Sequence, residues 1–410
     1  MTGEVICVGA GASGLTAAIY AARRGARVTV LEHKEEAGKK LILTGNGKCN
    51  LSNQNLSPDC YYGADKAFLS EAFRRFGLLE TREFFYSLGV PFTVKQGRLY
   101  PLSEEAKAVR TALLCEAERL FVSVKYDVSI RSIEKRDQGF LIHTKEGDLH
   151  GDALILATGG CYCRATGSDG SGLLYLRDSL SVPVKETHPA LLPLVSDRSW
   201  PKELAGVRSR ATVTLIFSDG RRVSDTGEVQ LADYGVSGIP VFQVSREAVL
   251  ALSKGERVMA ELDFLPGITR EESLAFYRGL FSGRNCRLSA LLAGTLHQKV
   301  IAEILRYAGL SDLPAGELTE EDLEKLVDAI HHFRFPVERS AKADMAQCTA
   351  GGVDTAYVDA KTMESTLVPG LYFAGEVMDV DGICGGYNLQ WAWTSGAIAG
   401  ISAGNRVVNL

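Results

Sequence analysis

The chain has 410 residues, of which 46% are hydrophobic and 23% charged, and a formal net charge of −5. That length implies two or three domains with a large core, the composition is ordinary for a soluble globular enzyme, and the acidic balance argues against a general basic field for nucleic acid. No apolar run approaches membrane-spanning length, and Val5–Val8 has no charged segment before it, so it reads as a core strand and not as a signal peptide.

Val5 to Glu32 reads as strand, glycine turn, helix, strand. Gly9, Gly11 and Gly14 stand in G-x-G-x-x-G spacing, and Ala12 and Ser13 open the helix. Gly9 permits the tight turn, Gly11 lets a pyrophosphate approach the backbone, and Gly14 lets the helix lie close to the strand. Free N–H groups at the helix start face the phosphates. Glu32, ending the second strand, is placed to accept hydrogen bonds from an adenosine ribose and would repel a 2′-phosphate. The ligand at this point is NAD or FAD.

The loop Leu41–Asn53, LILTGNGKCNLSN, is rich in Gly, Asn and Lys and carries Asn46, Cys49 and Asn50. Together with Lys39, Lys40 and Lys48 it is expected to face the ligand. Ala64–Leu88 reads as helix, with Phe68, Ala72, Phe76 and Leu79 at helical spacing. Ser103 is expected to cap a helix over Glu104–Leu120. Val122–Val128, Ile130–Lys135, Phe140–Thr144 and Asp148–His150 suggest a small antiparallel meander. Leu154–Ala157 is a buried strand ending in Thr158-Gly159-Gly160, small residues that again permit close approach of a dinucleotide.

The character changes after Pro183. His188-Pro-Ala-Leu-Leu-Pro193 reads as a stiff connector, and Val207–Glu261 as strands without βαβ rhythm, hence a separate antiparallel unit. Ile268–His332 is helical by pattern, with Thr269 and Thr319 as N-caps and Glu272 and Asp322 three residues on. The α/β character returns with the strand Leu371–Ala374, then Gly375-Glu376, a loop rich in Asp and Gly, and a glycine-opened helix over Gly385–Gly400 with small residues along one face.

Nine cysteines lie without a regular frame, which fits reduced thiols in a cytoplasmic protein. Cys161-Tyr162-Cys163 is the one close pair, and the seven histidines form no ligand spacing, so no metal is expected.

Several segments together resemble the BaiN/YhiN-type FAD-dependent oxidoreductases, which include aminoacetone oxidase-like proteins and a 3-dehydro-bile acid delta(4,6)-reductase. They are GAGASGL (Gly9–Leu15), GKKLILTGNGKCNLSN (Gly38–Asn53), GRLYPLS (Gly97–Ser103), ATGG (Ala157–Gly160), GEVQLADYGVSG (Gly227–Gly238), TAGGV (Thr349–Val353) and the long segment Thr362–Gly400. One departure is Ser365-Thr366, where family members usually carry a lysine. The resemblance implies an α/β fold with a Rossmann-type FAD-binding domain in two segments, 1–188 and 336–410, interrupted by a β-barrel-like insert, 189–266, and a helical insert, 267–335. It further implies that Ala12, Ser13 and Glu32 touch the adenosine and pyrophosphate of FAD, that Lys39 and Lys40 line the same cleft, and that Val128 meets adenine. Glu376, after Gly375, would reach the ribitol or pyrophosphate, and Gly386, Tyr387, Asn388 and Leu389 would sit by the isoalloxazine.

A second nucleotide-binding unit and a C-x₄-C redox pair are both missing from the sequence. The cofactor is therefore expected to be non-covalent FAD, with NADH or NADPH as a transient donor in a shared site. The first functional expectation is reduction of an activated C=C bond in a small-molecule enone such as a steroid or bile acid, with Tyr100, Arg98, His188 and Tyr387 as candidates for proton donation and oxyanion stabilisation. The alternatives are an amine oxidase releasing peroxide and a non-catalytic flavin-binding protein with a sensing or RNA-modification-linked role. Neither nucleic acid nor membrane is expected as a partner, and the insert is expected to set the substrate.

Overall fold

Val5, Cys7 and Val30 have no exposed surface, because the strands that hold them are covered on both faces. The computed structural model describes residues 3–197 and 200–409. They fall into two units, Met1–Pro189 with Gln347–Leu410, and Ala190–Ala346.

The first unit is built on a five-stranded parallel sheet, in the order Leu371–Phe373, Ala153–Leu156, Glu4–Val8, Arg27–Leu31, Ser123–Lys125. The helix Ala12–Arg23 follows the first strand and packs against the closing helix Tyr387–Val408. Glycine makes that packing possible. A Cβ on Gly396, Gly400 or Gly404 would stand 2.6, 2.2 or 2.9 Å from the carbonyl oxygens of Ser13, Ala17 and Ala21. The two backbones are therefore closer than any side chain allows. The closing helix runs on to Val408, past Gly400 and into residues 405–410, which read from the sequence as a short tail.

Several local expectations are corrected. The stretch 64–88 is two helices, Lys66–Arg75 and Leu78–Ser87, broken at Gly77, and Leu79 is 65% exposed while Phe68, Ala72 and Phe76 are buried. The next helix runs Ala106–Arg119 with Glu105, not Ser103, as N-cap, because Glu104 sits in the left-handed region at φ +52° and breaks the turn. Ser123–Lys125 leaves the meander and pairs in parallel with Arg27–Leu31; Ile130–Lys135, Phe140–Thr144 and Asp148–Gly151 make the antiparallel three. The beginning of the stiff connector is a strand, Val184–Ala190, paired with Cys348–Val353.

The second unit is a closed antiparallel barrel of Leu194–Ser196, Gly235–Ser237, Arg222–Ala232, Arg208–Phe217, Val258–Asp263 and Phe333–Ser340. Alternation fills its core: Ala211, Val213 and Leu215 are fully buried while Thr212 and Thr214 are not. The helix Ile239–Ser253 lies inside a stretch read as strands, and Pro240 occupies its first turn, where a missing N–H costs nothing. Thr269 and Thr319 cap helices as expected, accepting from the amides of Glu272 at 3.2 Å and Asp322 at 3.1 Å. Phe333–Ser340 is a barrel strand that runs through position 336, so the first unit resumes at Gln347 and not at 336.

Helix and barrel are clasped by His331, whose Nδ1 lies 2.9 Å from Asp263 Oδ1 and whose Nε2 lies 2.8 Å from Ser273 Oγ. Ser273 is only 1% exposed, so this Asp–His–Ser line holds structure and is closed to a reactant. Among the described residues no helix is long and apolar enough to cross a membrane, and no group of three or more His, Cys, Asp or Glu is arranged for a metal.

Candidate functional site

The glycine turn sits at the carboxyl ends of the parallel strands. Gly9 has φ +103°, and a Cβ there would meet the Ala157 carbonyl oxygen at 2.4 Å; one on Gly14 would meet the Gly9 carbonyl oxygen at 1.9 Å. A Cβ on Gly11 would meet nothing within 4 Å. Gly9 and Gly14 are thus fixed by close packing, whereas Gly11 faces open space. That space is a cavity of about 360 Å³ within the first unit, lined by Gly9, Gly11, Ala12, Ser13, Glu32, Lys39, Lys40, Val128, Thr158, Gly159, Glu376, Asn388 and Leu389.

Glu32 is 8% exposed and held at both oxygens: Oε2 accepts from the Ala10 amide at 2.8 Å, and Oε1 from the Lys34 amide at 2.9 Å. The carboxylate is oriented by backbone and keeps free lone pairs for hydroxyl donors. Thr158 lines the cavity, while its Oγ1 is buried without a partner, 1.9 Å from where a Cβ on Gly172 would stand.

Lys40 Nζ lies 2.6 Å from Glu376 Oε2, and Glu376 Oε1 accepts from the Thr349 amide at 2.9 Å. Burial works against charge on Lys40; the Glu376 carboxylate outweighs it and holds the ammonium pKa above its ordinary value. Lys39 is tied to Glu35 at 2.5 Å.

At the other end, the closing helix begins at Gly386, φ +96°. Its approach is pinned twice. Asn53 Nδ2 donates to the Gly385 carbonyl at 2.9 Å, and the Asn388 amide both accepts from Gly382 N–H and donates to Gly382 C=O, each at 2.8 Å. Inside, Ser52 Oγ donates to Gln390 Oε1 at 2.5 Å, and Gln390 Nε2 donates to Thr81 and Thr394. Gly375 lies under the same helix, its amide donating to Ser395 Oγ at 2.8 Å and its carbonyl accepting from Trp391 Nε1 at 3.2 Å.

Other candidates stand off the cavity wall. Gly14, Gly375, Gly386, Asn46, Cys49, Asn50 and Tyr387 do not line it. Asn50 Oδ1 is buried without a partner, 2.7 Å from where a Cβ on Gly386 would stand. Cys49 is fully buried, and burial pushes its thiol up to about 12, which makes it inert packing. Asn46 is exposed, with φ +54°. Arg98 and Tyr100 share one face of the strand Arg98–Pro101, and Tyr100 Cε1 lies 3.7 Å from a Cβ position on Gly45. Tyr387 donates its hydroxyl to the Asn55 carbonyl at 3.4 Å, and its own carbonyl accepts from Tyr61 at 2.9 Å. His188 lies on the strand paired with Cys348–Val353, 4.0 Å from Glu186.

Among the residues on the wall, His33, Asp169 and Tyr175 have no motif to announce them, whereas Trp391 belongs to the segment Thr362–Gly400. Asp169 accepts from the Ser171 amide at 3.0 Å and lies 3.9 Å from His33 Nε2. Burial works against its charge; the Ser171 hydrogen bonds, with His33 and Lys34 nearby, prevail and hold its carboxyl below the usual range. The sequence Asp169-Gly170-Ser171 signals a helix start, and nothing local signals a cavity.

A family model described as the HI0933-like protein Rossmann domain matches residues 3–402. A 3-dehydro-bile acid delta(4,6)-reductase of Clostridium scindens is 38% identical over 403 residues, 97% of this chain and 98% of that protein. A ribosomal RNA dihydrouridine synthase of Escherichia coli is 27% identical over 393 residues, 96% of each. In fold, the chain resembles a 3-ketosteroid-delta4-(5alpha)-dehydrogenase from Rhodococcus jostii, with TM-score 0.52, 18% identity, and 98% of this chain and 97% of that one covered. With a family match over nearly its whole length, a relative of that identity, and the parallel sheet with its glycine turn in place, the chain belongs to the HI0933-like family of Rossmann-domain proteins.

Proposed function

We propose that the protein is an FAD-dependent oxidoreductase that saturates a C=C bond conjugated to a carbonyl, with a steroid-type enone as substrate and NADH or NADPH as transient donor. The observation that carries the cofactor is the cavity itself: one dinucleotide turn with an oriented Glu32 at one end and a pinned helix N-terminus at the other. Glu32 would hold the adenosine ribose, and Val128 would meet adenine. The amides of Ala12 and Ser13 with Lys40 would hold the pyrophosphate. The start of the closing helix, Gly386 to Leu389, would place its positive end at the pyrimidine edge of the flavin ring. Bound FAD would supply hydride transfer to the β-carbon of the enone.

The substrate class rests on the relatives' names. One is a delta(4,6)-reductase of 3-dehydro-bile acids, and the other makes dihydrouridine, the product of saturating a pyrimidine C=C that is also conjugated to a carbonyl. Both names denote C=C reduction, which favours that chemistry over amine oxidation. Among the proton-donor candidates, Tyr387 already spends its hydroxyl on a backbone carbonyl. Tyr100, whose hydroxyl has no hydrogen-bond partner among the described residues, is the better donor, and Arg98 and His188 would stabilise the enolate oxygen.

Product analysis tests this reading. With a 3-oxo-4-ene steroid and NADH, mass spectrometry should show the product two hydrogens heavier. Amine turnover with peroxide release and no enone reduction would replace the reading with the oxidase. A uridine in RNA is the second acceptor the relatives' names favour, although the net charge of −5 supplies no general attraction for it; dihydrouridine formed in an rRNA transcript, with enones inert, would select it.

A further inference from the structure

We infer that a second site, a groove of about 690 Å³ in the first unit, binds an amphipathic monocarboxylate. The groove shares no residue with the dinucleotide cavity. It lies between the end of the helix Lys66–Arg75, the turn around Lys361, the sheet's edge strand Leu371–Phe373 and the last three turns of the closing helix.

Its floor is apolar. Phe76, Tyr372 and Ile398 are buried side chains that reach it, and Ile401 adds a half-buried one. Its walls carry three cations, Arg75, Lys361 and Arg406, against a single carboxylate, Glu364. Arg75 is held by Glu71 at 2.8 Å and Arg406 by Glu364 at 3.2 Å. One cation is left over: Lys361 has no ion pair among the described residues. Arg406 faces both Glu364 and the Tyr372 hydroxyl, and its Nε is closed off from the groove.

One uncompensated cation beside an apolar floor fits a ligand with one negative head and an apolar body. A phosphate dianion would bring more charge than one free lysine can match. A neutral alcohol would leave that lysine without a counter-ion. The head would sit at Lys361 and the body along Ile398 and Ile401. The closing helix joins the two sites: Leu389 lines the cavity, and Arg406 lies about 25 Å further along the same helix.

Titration calorimetry of the full-length protein, as purified, tests the site. The probes are laurate and cholate, which separate a flexible from a rigid apolar body, with dodecanol and dodecyl phosphate as head-group controls, all kept below their micelle concentrations. The expected result is saturable binding of at least one carboxylate, at least ten-fold weaker binding of dodecanol, no gain with dodecyl phosphate, and at least a ten-fold loss in Lys361→Glu with retention in Lys361→Arg. Lys361 is exposed, so neither change threatens folding. Absence of saturable binding, equal binding of the alcohol, or carboxylate binding unchanged by Lys361→Glu would overturn the assignment; the last outcome would place the ligand elsewhere, including the cofactor cavity.

Discussion

Lys40 Nζ and Glu376 Oε2 meet at 2.6 Å although 336 positions separate them in the chain. The pair joins the two segments of the dinucleotide unit at the cavity wall. Lys40→Met would leave a largely buried carboxylate with only the Thr349 amide as donor, so the single change should destabilise by about 2–3 kcal/mol, allowing for the pair's partial exposure. Adding Glu376→Gln should recover most of that stability and none of the cofactor affinity. Urea denaturation and FAD titration by flavin fluorescence measure the two separately.

Two glycines should respond in opposite ways. On an exposed helix, Gly→Ala stabilises by roughly 1 kcal/mol. At Gly400 the new Cβ would stand 2.2 Å from the Ala17 carbonyl oxygen, so Gly400→Ala should cost about 3 kcal/mol and lower the melting temperature. Gly11→Ala meets nothing within 4 Å, so it should melt like the parent yet weaken FAD by ~10-fold or more, about 1.4 kcal/mol. Melting curves and cofactor titrations of both variants check the contrast.

The acid limb of stability should depend on Glu116. Arg119 at 2.6 Å, opposed by burial and assisted by Arg23 at 2.7 Å, holds its carboxyl down to about 2 from the usual 4.5. A carboxylate depressed on folding stabilises above its unfolded pKa and loses that contribution as pH falls toward the folded value. Between pH 4.5 and 2 the parent should therefore lose stability faster than Glu116→Gln, which starts lower at neutral pH; parallel curves in a pH series of denaturant melts would refute this.

His331→Leu should loosen the barrel unit by ~2–3 kcal/mol, since it removes the ring partner of both Asp263 and the buried Ser273. Hydrogen exchange should rise in the helices Arg270–Phe281 and Glu320–His331, while flavin binding should hold.

What was legible in the chain was local chemistry with an immediate structural meaning. The glycine turn, Glu32 at the strand end, and the Thr269 and Thr319 caps all depend on neighbours within a few residues. The helix Ile239–Ser253 was not, because Val241, Val244 and Val249 are strand-formers by propensity and are helical through burial against the barrel. Ser123–Lys125 looked like meander because its parallel partner is Arg27–Leu31, a long-range pairing that no local pattern encodes. The same holds for the site. Asp169 and His33 come together only through the fold, whereas the triplet Gly9, Gly11 and Gly14 announces itself.

The central claim, a flavin that takes electrons from a nicotinamide and passes them to a conjugated C=C bond, is tested most directly by anaerobic stopped-flow on the FAD-loaded protein. The account predicts that NADH or NADPH bleaches the oxidised flavin band, that a 3-oxo-4-ene steroid restores it without oxygen, and that Tyr100→Phe slows only the second step, by roughly 100-fold. A flavin that no nicotinamide bleaches, or one that an amine bleaches and only oxygen restores, would contradict it.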